Sequence, residues 1–60
     1  MIKIELDLSQ DEASAFAQFL KRVYLSHYRP LAKNDDEAYE MMAASEKLRA
    51  AFAQEGIAPR

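Results

Sequence analysis

Residues 2–9 read "IKIELDLS", and how this stretch is read decides the fold. Ile2, Ile4, Leu6 and Leu8 alternate strictly with Lys3, Glu5 and Asp7. In extended backbone, successive side chains point to opposite faces, so the alternation gives one apolar and one charged face. That pattern predicts a half-buried strand over about residues 2–8. Ser9 ends it. "SQDE", residues 9–12, has capping-box spacing: the Ser9 hydroxyl can accept from the Glu12 N–H, and the Glu12 carboxylate can reach back to the Ser9 N–H. A helix over about residues 10–27 follows. Ala13, Phe16, Leu20, Val23 and Tyr24 recur at steps of three and four, and Ala17 and Phe19 widen the stripe. Pro30 disfavours helical geometry at Arg29 and closes the segment.

"NDDE", residues 34–37, opens a second helix with Asn34 as its N-cap. The helix is expected over about residues 35–55, with Ala38, Met41, Ser45, Leu48 and Phe52 as its stripe. Its many alanines make it strong in propensity and thin in girth. Gly56 stands where a left-handed C′ residue belongs. Ile57 is then C″ and Phe52 is C3, the pair that touches in a Schellman motif. Pro59 lies just beyond, in a short tail over 57–60.

The predicted fold is a single domain over 1–60. It is α+β and mostly helical, in the order strand–helix–helix (β-α-α). One strand has no sheet partner in its own chain, so its N–H and C=O groups face water. Antiparallel pairing with the same strand of a second copy supplies the partner and is self-complementary under two-fold symmetry. The expected state is therefore a homodimer, with Ile2, Ile4, Leu6, Leu8 and Phe16 at its interface. Size argues the same way. A chain of 60 residues buries only about 60% of the surface it exposes when unfolded. Small domains usually add a disulfide, a metal or a partner chain. There is no cysteine and only one histidine, His27, which leaves association.

Ten acidic residues against eight basic ones argue against a nucleic-acid or membrane binder driven by bulk charge. No apolar run approaches the roughly 20 residues of a membrane span, and the first eight residues do not resemble a signal peptide. A cytoplasmic protein is expected.

The strand–helix–helix order resembles the ribbon-helix-helix DNA-binding proteins. In that family the paired strands enter the major groove and their outward side chains read base edges. The outward residues here are Lys3, Glu5 and Asp7, two of them anionic. The family also grips a phosphate at the start of its second helix, where this chain has Asp35, Asp36 and Glu37. The first helix and the connection after it are longer than is usual there. Through "IELDLSQDEA", "AQFLKR", "DDEAY" and "EGIAPR" the whole chain also resembles a group of short uncharacterised bacterial proteins. That resemblance implies no activity and no functional residue.

Two charged surfaces remain. Lys21, Arg22, His27, Arg29 and Lys33, interleaved with Tyr24 and Tyr28, form a candidate partner or anion surface. Cations near a helix C-terminus are also expected simply to complement its dipole. Asp35, Asp36, Glu37 and Glu40 form a candidate acidic surface, or ordinary first-turn acids. No catalytic, cofactor-binding or metal-binding residues are assigned, and no enzyme is expected. There is no cysteine nucleophile and no glycine-rich phosphate loop. The expected function is a small homodimeric interaction module or regulator whose second partner is another protein. Two alternatives stand beside it. One is a divergent ribbon-helix-helix regulator with nucleic acid as partner. The other is a phage or mobile-element inhibitor presenting its acidic surface to a nucleic-acid enzyme.

Overall fold

The computed structural model describes residues 1–57. The elements run α1 (Gln10–Arg22), α2 (Leu25–Tyr28), a 3₁₀ turn (Arg29–Leu31) and α3 (Asp35–Gln54). Among the described residues there is no strand and no sheet. This corrects the strand–helix–helix expectation, and with it antiparallel strand pairing and the ribbon-helix-helix likeness. The physical reason lies in what alternation encodes. Period two fixes which side chains share a face of extended backbone. A strand also needs a second backbone to complete its ladder, and this chain has none to offer. Residues 1–9 are instead an exposed arm leading into α1. Lys3 and Glu5 stay on one side of it, with Nζ and Oε1 3.9 Å apart.

Helix α1 starts where its cap dictates. The Glu12 N–H donates to Ser9 Oγ at 3.1 Å, and the Ser9 N–H donates to Glu12 Oε1 at 2.8 Å. The helix ends at Arg22, short of the expected residue 27. Val23 takes extended dihedrals, φ −80° and ψ 137°, and Tyr24 likewise at −122° and 168°. A β-branched residue followed by an aromatic one is weak in helix propensity. His27 supplies the alternative: its Nδ1 accepts from the Tyr24 N–H at 2.9 Å, while the His27 N–H donates to the Tyr24 carbonyl at 2.9 Å. The backbone thus turns a corner and restarts as α2. Pro30, which lacks an N–H, sits in the 3₁₀ turn that ends it.

Helix α3 is capped by Asn34, whose Oδ1 accepts from the Glu37 N–H at 2.8 Å. At its far end Gly56 has φ +76°. The Ile57 N–H reaches the Phe52 carbonyl at 2.9 Å and the Gly56 N–H reaches that of Ala53 at 3.1 Å. These are the two bonds of a Schellman motif. Pro59 and the rest of the tail beyond Ile57 lie outside the described residues.

Helices α1 and α2 both pack on α3. The buried set among the described residues is Ala13, Ala17, Leu20, Tyr28 and Ala38. Small residues line the contact, so the α1 face that meets α3 is the alanine face. Phe16 and Phe19 were expected to point inward with it. They stand outside it, 43% and 52% exposed, and stack on each other with centroids 5.3 Å apart. Among the described residues only two large side chains, Leu20 and Tyr28, are buried, while eleven large apolar ones are exposed.

Candidate functional site

The surface carries many large apolar side chains. A compact chain of 6.8 kDa exposes about 4,000 Å². This one exposes 5157 Å², an excess of about 1,200 Å² over that reference. The radius of gyration is 12.3 Å, against about 10 Å for a compact domain of this length.

Two surfaces carry many of these apolar side chains. The first is the arm, whose exposure falls steadily from 90% at Ile2 to 44% at Leu8 as it approaches the body. The second is the outer face of α1 and α3. Phe16 meets Phe52 edge-on with centroids 6.3 Å apart, so Phe19, Phe16 and Phe52 form a continuous aromatic run across both helices. Beside that run lies a groove of about 350 Å³ lined by Ala17, Glu46, Arg49, Ala50, Phe52, Ala53 and Ile57. Its alanines leave the space, Phe52 and Ile57 give it apolar walls, and Glu46 and Arg49 give it charges of both signs. Helix length explains the groove. Twenty residues of α3 extend about 30 Å and thirteen of α1 only about 20 Å, and from Glu46 to Ala51 every residue of α3 is exposed.

All five expected interface residues, Ile2, Ile4, Leu6, Leu8 and Phe16, are exposed in the single chain. The two expected charged surfaces are not separate. Arg29 Nε lies 3.4 Å from Asp35 Oδ1, and Lys33 Nζ lies 3.8 Å from Glu37 Oε2. The Lys33 N–H also donates to Glu37 Oε1 at 3.1 Å. Two of the five basic residues therefore meet two of the four acidic ones. Lys21, Arg22 and His27 stay apart from that cluster, and Arg22 and His27 line a shallow hollow with Phe19 and Val23. Asp36 and Glu40 form no ion pair among the described residues. Among the same residues no group of three or more acidic or histidine side chains is placed to hold a metal ion. No described helix is long and apolar enough to cross a membrane.

Sequence reasoning missed the groove. Its signal was present in the alanines of the second half of α3, which thin the helix toward its C-terminus. It also missed the outward stacking of Phe16 on Phe19, a three-residue step that brings neighbours together on a helix surface.

A family model described as "Family of unknown function (DUF7706)" matches residues 1–60. No curated protein and no solved structure matches the chain.

Proposed function

The chain belongs to the DUF7706 family, a family of unknown function, and within that frame we propose that it is a small protein-interaction module that works as a homodimer, through its surfaces and without catalysis. One observation carries this reading: among the described residues, two large side chains are buried against eleven exposed. A core of that size does not offset the conformational entropy of ordering the chain. A second copy covering the Phe16–Phe19–Phe52 face supplies what is missing. The excess surface, about 1,200 Å² per chain, exceeds the roughly 800 Å² that each partner buries in a standard interface. Folding and association are then one process, and stability rises with protein concentration.

The pairing of Asp35 with Arg29 and of Glu37 with Lys33 weighs against an acidic decoy surface, because half of those carboxylates are already balanced. It weighs equally against an extended anion-binding surface.

Sedimentation equilibrium over a dilution series tests the dimer, with helicity followed by circular dichroism in parallel. A two-chain mass at micromolar concentration, with helicity falling as the mass falls, is the expected result. A single-chain mass with full helicity throughout would overturn the reading.

A further inference from the structure

We infer that His27 is a proton-operated latch on the corner between α1 and α2. Neutral, it holds the corner bent. Protonated, it lets go, and the Tyr24 N–H passes to the Leu20 carbonyl, so that α1 runs on into α2. The inference goes beyond the dimer reading and does not rest on it, because the corner lies within one chain.

Three observations carry it. The first is the bond itself. The Tyr24 N–H donates to His27 Nδ1 at 2.9 Å. A ring nitrogen accepts only while it carries no proton, and in the imidazolium both nitrogens are donors. Protonation therefore sets two donors against each other, and the ring has to turn away. It is free to do so: His27 is exposed and borders the hollow lined by Phe19, Arg22 and Val23. The second is a competing acceptor. The helical ladder is kept as far as Val23, whose N–H reaches the Phe19 carbonyl at 3.0 Å. Tyr24 comes next, and the helical acceptor for its N–H is the Leu20 carbonyl, four residues back. One N–H thus stands between two acceptors, each belonging to a different path of the backbone. The third is that the sequence suits the straight path as well. The stripe Ala13, Phe16, Leu20, Val23 and Tyr24 keeps helical spacing through the corner, and residues 10–28 contain no glycine or proline.

The charges around the ring do not oppose release. Arg22, from α1, lines the same hollow. Arg29, just beyond α2, lies beside Asp35, with Nε and Oδ1 3.4 Å apart. Helix α3 contributes no residue to the hollow. The Tyr24 ring lies 5.9 Å from the imidazole, between centroids. His27 forms no ion pair among the described residues, so no carboxylate there anchors the protonated ring in its bonded position. The sign follows. Imidazole changes charge between about pH 5 and 8, so the latch holds above that range and releases below it. Loss of one hydrogen bond moves the bent-to-straight ratio roughly fivefold towards the straight form. Straightening carries Tyr28 away from Ser45 and uncovers the middle of α3, so the surface offered to a partner changes with pH.

The chain has one histidine and no cysteine, so a titration from about pH 7.5 to 5.5 addresses His27 among its side chains. NMR of the unaltered chain at one protein concentration follows the His27 ring together with the Cα carbons of Val23 and Tyr24, whose shifts differ between extended and helical backbone. The expected result is that both Cα shifts move from extended towards helical values, with the midpoint of the ring. His27→Glu is the control. Glutamate at the third helical position is the residue that closes a capping box, and it stays an acceptor throughout this range. In that variant both Cα shifts should remain extended from end to end.

Cα shifts that stay extended while the ring of the unaltered chain titrates would overturn the inference. So would movement towards random-coil values with loss of helicity, since the bond would then hold the fold and not choose between two paths. The same movement in His27→Glu as in the unaltered chain would overturn it too, by placing the titrating group elsewhere.

Discussion

The Tyr28 hydroxyl donates to Ser45 Oγ at 2.7 Å, tying α2 to the middle of α3. Tyr28 is 8% exposed and belongs to the core. Its bond to Ser45 is a side-chain bond that joins two helices. It exists because α1 stops at Arg22. A helix running on through residue 27 in the same line would have carried Tyr28 past the face of α3. The corner at Val23 and Tyr24 brings it back.

This bond predicts an asymmetry between substitutions. Ser45→Ala leaves a buried hydroxyl with no acceptor and costs about 1–3 kcal/mol. Tyr28→Phe removes the hydroxyl itself and costs less, about 1 kcal/mol. The double variant is expected near Tyr28→Phe alone, giving a coupling energy on the order of 1 kcal/mol. Urea unfolding of the four proteins at one fixed concentration measures this. Additive losses would mean that the two groups are not bonded to each other.

Local signals in the sequence were legible where a side chain acts on its own neighbourhood. Ser9 with Glu12, Asn34 with Glu37 and Gly56 with Ile57 each set a helix end within four residues, and no tertiary context competes there. The alternation over residues 2–8 was legible as a pattern but not as a strand. Whether a two-faced segment joins a sheet depends on a partner backbone, which sequence periodicity does not contain. The break at Val23 was hidden for a different reason. The apolar spacing runs straight through it, and the deciding group is the His27 side chain, which bonds back to Tyr24. The inward face of α1 was ambiguous because Ala13, Ala17 and Leu20 share the helix with Phe16 and Phe19. Either set satisfies helical spacing. The thinner set won, because it lets α1 approach α3 closely.

The capping box makes a prediction about acid. The Ser9 backbone N–H, and then the Ser9 hydroxyl, hold the Glu12 carboxyl below its ordinary pKa. A carboxylate lowered in the folded state stabilises it at pH values above its unfolded pKa, and the contribution is lost as pH falls through the lowered one. An NMR titration should place the Glu12 midpoint below the usual glutamate range. In Ser9→Ala the hydroxyl contribution is lost and the midpoint should move up towards that range. An unchanged midpoint in the variant would show that the Ser9 hydroxyl does not bond to this carboxylate.

At Gly56 the prediction concerns backbone alone. Its φ of +76° is a conformation that side-chain-bearing residues adopt at a cost, and an added Cβ would meet nothing within 4 Å. Gly56→Ala is therefore expected to cost about 1 kcal/mol, and Gly56→Asn less, because asparagine tolerates the left-handed region. Gly56→Leu should cost no more than Gly56→Ala, since the space is open. Thermal unfolding at fixed concentration gives the ranking. A much larger loss with leucine would mean that another surface closes over this end of α3.

Gln18 supplies the last prediction, and its sign is the reverse of the others. Its Oε1 is buried and has no hydrogen-bond partner among the described residues, although the residue as a whole is only half-buried. A buried amide oxygen with no donor has lost its water and gained nothing in return. Removing it therefore removes a cost without breaking a bond. Gln18→Met keeps the length and flexibility of the side chain and fills the same space with apolar atoms. It also suits a helix interior as well as glutamine does. The variant is expected to be more stable by about 1 kcal/mol, read as a higher urea midpoint with an unchanged slope. Gln18→Ala separates this effect from packing, because it removes the orphaned oxygen and the filling methylenes together. It should lie below Gln18→Met. Destabilisation by Gln18→Met would mean that the oxygen does find a donor, and in a chain that works as a dimer the place to look for it is the second copy.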